Sequence, residues 1–452
     1  MFLHNYKEQY KHNLRLAAPV MLSQLGVVMV QLFDNAMVGK LGALPLAAVS
    51  FGGTVFFIVF IFLTGISLGL TPLIGEKYSQ SNYRTIASLF QNSLILFSLV
   101  GILGFIIQYS IIPLMFHLRQ PNEVVDMAIP YYKYLVWSII PYMLFGSFKQ
   151  FLEGIGNTTV NMIIIITANL INIFFNWLLI YGNWGFPRME AEGAGLATLI
   201  SRICMPVFAI IYFTFKHKVR RYFRYFKWEN FSLKYVKSLL SVGLPIGSQM
   251  IMEGSAFALT SIMIGWIGTT EIAANQIALT ISNMAFMIVL GLSSAATILV
   301  SHEYGRGNLK KLKETANASY HLGLLWNTIT AIIFITLREP IARIFTDDPE
   351  VIKIASYLMI FVAAFQFSDG LQSITVGILR GIQDVKKIML IAFFSYIVIN
   401  LPVGYFCAFI LNWGPGGLWV GFIFGLSIAA FLLIYRLNRQ YKRLQNNSHF
   451  NS

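Results

Sequence analysis

Long apolar runs separated by short polar connections dominate the chain. A helix needs about 20 mostly apolar residues to cross a bilayer, and twelve stretches meet that length: 14–38, 46–76, 86–114, 127–152, 160–182, 193–215, 239–267, 272–304, 316–337, 351–379, 388–411 and 416–437. Several exceed a perpendicular crossing, which predicts tilt or extension past the hydrocarbon. The segment preceding the first run, MFLHNYKEQYKHNLRL, is polar and basic and lacks a short apolar core with a small-residue cleavage site. It reads as a tail before the first crossing helix.

The pattern repeats. Displacing the chain by 226 residues, half of its 452, lays Pro19 on Pro245, Gly39 on Gly265, Gly42 on Gly268, Gly65 on Gly291, Tyr78 on Tyr304 and Asn82 on Asn308. One residue further, Leu152, Gly154 and Ile155 fall on Leu379, Gly381 and Ile382. Six spans per half is an even number, so both halves enter the membrane in the same sense. That predicts two six-helix lobes related by a pseudo-two-fold axis along the membrane normal, an arrangement known among transporters. The fold expectation is an all-α integral membrane protein of twelve transmembrane helices. Its parts are an N-terminal lobe at 1–215, a basic cytoplasmic linker at 216–238, a C-terminal lobe at 239–437 and a cytoplasmic tail at 438–452.

Composition agrees with this picture. Hydrophobic residues make up 56% and charged residues 12%, against roughly 25% charged in soluble domains, and the mean hydropathy is +0.66. The formal charge of +14 first suggests nucleic acid, but its placement argues otherwise. With the N-terminus inside, the inner connections hold Lys7, Lys11, Lys77, Arg84, the run KHKVRRYFRYFK at 216–227, Arg306, Lys310, Lys311, Lys313, Arg380, Lys386, Lys387 and the basic end after Arg436. The outer ones hold Lys40, Arg119, Arg188, Arg338, Arg343 and Lys353. This is a positive-inside bias. It predicts two cytoplasmic termini, a multi-pass protein of the bacterial plasma membrane, and contact with anionic lipid rather than nucleic acid. Cys204 and Cys407 lie in apolar runs, where they read as packing residues.

Ionisable residues inside the spans carry the candidate chemistry, since each costs several kcal/mol at the bilayer centre and faces a cavity or a partner. Glu253, in QMIMEGSAFAL, and Asp369, in FQFSDGLQ, have no Lys or Arg within a helical turn. A lone carboxyl group in low dielectric takes a proton or a cation such as sodium; the alternative is a protonated carboxyl hydrogen-bonded in the bundle. Asp34 sits toward the outer end of span 1, where an interfacial and a functional role are equally compatible with its position. The repeat counterparts of these acids are not acidic, so the acids are not shared scaffold. Lys149 and Glu153 form an i,i+4 pair, and Arg202 should meet a carboxylate or backbone carbonyls. Asn169, Asn172 and Asn176 share one face of span 5, either joining helices or lining a cavity. Pro19, Pro141, Pro206, Pro245 and Pro402 bend their helices, as ordinary kinks or as pivots.

The chain has no GxxxxGK[ST] loop, no HExxH and no histidines at metal-ligand spacing. These absences exclude ATP hydrolysis by the chain itself. A membrane-embedded acyltransferase would need His302 or His321, both near span ends. Unpaired carboxylates and a half-chain repeat favour a carrier over a passive channel.

PVMLSQLGVVMVQLFDNAMVGKLGALPLAAVS and its repeat, GLPIGSQMIMEGSAFALTSIMIGWIGTTEIAANQIA, resemble the corresponding segments of MATE (multidrug and toxic compound extrusion) transporters. GILRGIQDVKKIM and SYIVINLPVGYFCAFILNWGPGGLWVG resemble that family's spans 10 to 12. The likeness covers nearly the whole chain and is greatest to the NorM-type branch. It implies cation-coupled antiport: Na⁺ or H⁺ enters and an organic, usually cationic, compound leaves by alternating access. Glu253, Asp369 and Asp34 match the family's acidic positions, and Asn172 and Asn176 its polar pair. Another branch has aspartate where this chain has Asn176, which moves the expected cation site to Glu253 and Asp369, with sodium among its candidate ions. The expected substrate contacts are Glu253, Asp369, Gln276 and Gln366, with Asn172, Asn176 and Thr198 a secondary polar site. The expected partners are small organic cations and membrane lipids, with no cofactor beyond the coupling ion and a functional monomer. A lipid-linked sugar flippase of related architecture is the alternative; it should line its cavity with basic residues.

Overall fold

In the computed structural model the described residues are 6–118, 120–220, 222, 225–226, 231–446 and 450. Arg119, part of the basic linker at 221, 223–224 and 227–230, and residues 447–449 and 451–452 of the tail lie outside them. Twelve long helices run through the described residues: α1 (Lys7–Gly39), α2 (Ala43–Ser79), α3 (Tyr83–Met115), α4 (Asn122–Gly154), α5 (Thr158–Tyr181), α6 (Glu190–Phe215), α7 (Leu233–Gly265), α8 (Thr269–Gly305), α9 (Leu309–Thr336), α10 (Pro349–Gly381), α11 (Lys386–Ile410) and α12 (Pro415–Gln445). Eleven are long and apolar enough to cross a membrane. The other is α7, whose apolar run is interrupted by Gln249, Glu253 and several Gly and Ser residues. The protein is an all-α, multi-pass membrane protein.

Most helices extend past their apolar stretches, because the backbone ladder continues wherever nothing breaks it. Thus α1 starts at Lys7 rather than 14 and α7 at Leu233 rather than 239. A short helix, His217–Arg220, occupies the start of the basic linker. Proline leaves local marks. Ser138 interrupts α4 three residues before Pro141, where the proline ring would meet the carbonyl of the preceding turn. Pro402 lies between two π-helical stretches of α11, Phe393–Asn400 and Phe406–Ile410.

Packing divides the chain into two compact units, Met1–Met21 with Ser248–Ser452, and Leu22–Gly247. Helices α1 and α7 therefore each contribute to both. The first turns of α1 belong with α9: Gln9 Nε2 donates to Glu314 (3.1 Å), the Tyr10 hydroxyl meets His321 Nδ1 (2.8 Å), and Ser319 donates to Asn13 (3.0 Å). The first turns of α7 belong with α2. A Cβ on Gly69 would lie 2.7 Å from Gly243 N and 2.8 Å from Gly243 Cα, so the two backbones meet with no room for a side chain.

The sequence repeat is a repeat of packing. In the Leu22–Gly247 unit α4 is central, lying against α2, α3 and α6; in the other unit α10 is central, against α8, α9 and α12. Matching bonds recur at matching positions. Asn82 caps α3 through Thr85 N (3.1 Å) and Asn308 caps α9 through Lys311 N (3.0 Å). Thr71 donates to the Gln150 carbonyl (3.2 Å) and Thr297 to that of Gly377 (2.9 Å). Aromatic residues fill both cores: Phe90, Phe148, Phe151 and Phe213 around α4, and Phe257, Phe365, Trp419 and Phe422 around α10. Cys407 is buried and Cys204 partly so, both as free thiols.

Candidate functional site

The candidate charges form two clusters, one in each unit; Asp369 is buried, while Glu253, Arg380, Asp34 and Arg202 are half-buried. The first surrounds Glu253 on α7. Asp369 on α10 is 7% exposed and within direct electrostatic range of Glu253. The Ser373 side chain, one turn along α10, lies near Asp369. Gln249, one turn before Glu253, donates Nε2 to Glu253 Oε2 at 3.4 Å. Its Oε1 accepts from Arg380 Nη2 at 2.8 Å, so a single amide spans a carboxylate and a guanidinium. Arg380 is also in electrostatic range of Glu253, and its Nε is buried without a hydrogen-bond partner. From α11 the fully buried Tyr396 side chain reaches Glu253, and its hydroxyl donates to Gln372 Oε1 at 3.0 Å.

Local sequence explains this convergence. Gln249 and Glu253 are four residues apart, as are Asp369 and Ser373, so each pair stacks along one helix face. Arg380, the penultimate residue of α10, lies near that face, seven residues beyond Ser373. Tyr396 stands in the first π-helical stretch of α11. Such wide turns shift the side-chain register and recur at functional sites. Arg380, read from the sequence as part of an inner connection, lies in the last turn of α10. Its Cα is near the helix end, but the guanidinium lies beside Gln249 and Glu253, so Glu253 has a cationic neighbour that its own helix does not reveal.

Gln366, one turn before Asp369, uses Oε1 to accept from Thr330 (2.6 Å), while its Nε2 is buried without a partner. Gln276 is exposed on α8 and joins neither cluster's hydrogen bonds. Among the described residues no three His, Cys, Asp or Glu side chains gather as a metal site. A bound Na⁺ would therefore need hydroxyl and amide oxygens besides the two carboxylates, and Tyr396, Ser373 and Gln372 supply such groups.

The second cluster surrounds Asp34 on α1. Its carboxylate accepts from Asn176 Nδ2, which also donates to Asn172 Oδ1 at 3.1 Å. With the Asn172 amide turned, the bond from Asn176 is given up, and the Asn172 Nδ2 instead donates to Asp34 Oδ1 at 3.0 Å while its oxygen accepts from Thr198 N at 3.3 Å. That orientation satisfies both amide atoms, and the hydrogen-bond network decides it. The structure thus joins Asp34, Asn172, Asn176 and Thr198. Arg202 on α6 balances them: it is within electrostatic range of Asp34, its Nη1 donates to Ser138 Oγ (2.7 Å), and its guanidinium lies 4.6 Å from the Phe60 ring centre and 5.3 Å from those of Phe56 and Tyr142. Near the end of α4, Lys149 and Glu153 form the expected i,i+4 pair at 4.0 Å, but Glu153 is buried at 5% exposure and also meets Asn161.

Sequence reasoning missed Arg380, Gln249, Tyr396 and the aromatic rings around Arg202. Gln249 carried a usable signal, a polar side chain one turn from a membrane acid. Tyr396 carried none, being one of 21 tyrosines.

Three lines of comparison bear on this arrangement. The chain is 33% identical over 453 residues to the "Probable multidrug resistance protein NorM" of Idiomarina loihiensis, covering 99% of this chain and 97% of that protein. It is 32% identical to the "Multidrug resistance protein PmpM" of Pseudomonas aeruginosa, covering 97% and 93%. Its fold matches the outward-facing conformation of a multidrug resistance MATE family transporter (TM-score 0.89, 21% identity, 97% of both chains) and the eukaryotic MATE transporter AtDTX14 (TM-score 0.87, 18% identity, 98% and 99%). The MatE family model matches residues 19–178 and 245–406, the two halves of the internal repeat. The chain belongs to the MATE family of transporters, and its relatives place it in the NorM-type branch.

Proposed function

We propose that this protein is a multidrug exporter of the bacterial plasma membrane, an antiporter that exchanges inward Na⁺ or H⁺ for outward organic cations. Both termini face the cytoplasm, and one chain is the working unit. The observation that carries this reading is the Glu253–Asp369 cluster. Two carboxylates, one buried and one half-buried, share a site with one guanidinium, so the site is one positive charge short of neutrality when both acids are ionised. A cation fills that deficit, and either the organic cargo or the coupling ion supplies it, which is the requirement for exchange. Entry of the coupling ion lowers affinity for the cargo, and a two-state change exposes the site alternately to each side. Each charge carried inward gains about 2.3 kcal/mol per 100 mV. The NorM and PmpM names of the relatives support drug-like cargo.

The test is transport of ethidium in proteoliposomes, with Na⁺ and pH gradients imposed separately. One gradient should drive export, and Glu253→Gln and Asp369→Asn should each abolish the driven component. Transport indifferent to both gradients, or full driven activity in both variants, overturns the reading.

A further inference from the structure

We propose that Arg380 is a specificity-determining residue that restricts the cargo of the Glu253–Asp369 cluster to organic ions of a single positive charge. The proposal rests on the cation-binding reading of that cluster and deepens it.

Three observations carry it. Arg380 holds a permanent positive charge, because a guanidinium does not deprotonate in proteins, and it faces Glu253 from α10. Arg380 is also held off the acid. Its Nη2 is engaged by the Gln249 amide oxygen at 2.8 Å, while the amide nitrogen of the same residue takes Glu253 at 3.4 Å. Among the described residues Arg380 closes no ion pair within 4.0 Å, so it offsets charge without occupying the Glu253 oxygens. Lastly, it is not inherited scaffold. In the 227-residue register that lays Leu152 on Leu379, position 380 corresponds to Glu153, a residue of opposite sign on the central helix of the other unit.

The charge count then sets the selectivity. Two carboxylates and one guanidinium leave one negative charge. A monocation neutralises it, and the filled site is electrically balanced. A dication leaves one positive charge in a poorly polarisable environment, where an unbalanced charge is costly. The polar groups nearest the acids, Tyr396, Gln372 and Ser373, add no second charge. Without Arg380 the deficit becomes two, and a dication becomes the matching ligand.

The experiment uses purified full-length protein in lipid nanodiscs, with ethidium fluorescence polarisation as the probe and no transport step. Decyltrimethylammonium and decamethonium, which share a ten-carbon chain and differ in carrying one or two quaternary ammonium groups, compete for the site. The wild type should prefer the monocation. Arg380→Gln should shift the ratio of the two affinities toward the dication by about tenfold, as expected for one unit charge at short range in a partly polar site. Arg380→Lys, which keeps the charge, should retain the wild-type ratio. Gln249→Glu, which adds a negative charge at the same place, should shift it in the same direction as Arg380→Gln and serves if that variant does not fold. An unchanged ratio in the charge-altering variants, with ethidium still bound, overturns the role of Arg380. A wild type that binds none of the three cations overturns the antiporter reading itself.

Discussion

Replacing Gln249 with leucine tests whether the amide joining Arg380 to Glu253 is energetically real. The substitution keeps the volume and removes both polar atoms. Arg380 Nη2 loses an acceptor at 2.8 Å, while Nε already lacks one. A hydrogen bond to a charged group is worth about 1.5–3 kcal/mol. The contact to Glu253 at 3.4 Å is at the long edge of hydrogen-bond geometry and adds little. The expected loss is therefore about 2 kcal/mol. Arg380→Met removes the charge together with its need for an acceptor, and leaves the Gln249 oxygen unpaired at about 1–3 kcal/mol. Combined, the two changes remove both partners, so the double variant should be less destabilised than the sum by about 1–2 kcal/mol. Reversible denaturant unfolding of the four proteins in mixed micelles measures this cycle. Effects that add to within about 0.5 kcal/mol would show that the two side chains act independently, and would refute the bridging geometry.

Two further substitutions probe the frame around the sites. Gly69→Ala forces a methyl group to within 2.7 Å of Gly243 N; the helices must separate, at about 1–3 kcal/mol for overpacking, and a thermal-unfolding midpoint equal to the wild type would contradict the close crossing. Asp384→Asn weakens a fork in which Arg436 Nε and Nη2 donate to the carboxylate at 2.6 and 3.0 Å and Gln440 adds a bond at 2.7 Å. The loss should be about 2 kcal/mol by the same unfolding assay. This is below the ~3–5 kcal/mol of a fully buried broken pair, because both side chains keep about 15% exposure.

The sequence alone determined the architecture, because the bilayer imposes a one-dimensional code. A crossing segment must satisfy its own backbone and be apolar over a set length, so the twelve helices were visible as twelve runs. The half-chain repeat was visible because Pro, Gly and Asn are demanded by backbone geometry rather than by neighbours. Asn82 and Asn308, for example, each cap a helix in the same way. The acids were visible too, since Glu253, Asp369 and Asp34 stand out against apolar surroundings whatever they touch.

What the tertiary structure decided is which charges meet. Arg380 lies 127 residues from Glu253 in the chain and near the end of its helix, where hydropathy assigns it to the interface. Only the meeting of α7 with α10 turns it into the acid's neighbour, with the Gln249 amide bonded to both. Tyr396 reaches the cluster through a π-helical register that its local sequence does not announce. Arg202, an unexplained charge in one dimension, acquires its aromatic surroundings from α2 and α4. Side-chain chemistry is local, but electrostatic partnership depends on distance through space, and that distance exists only once the helices have packed.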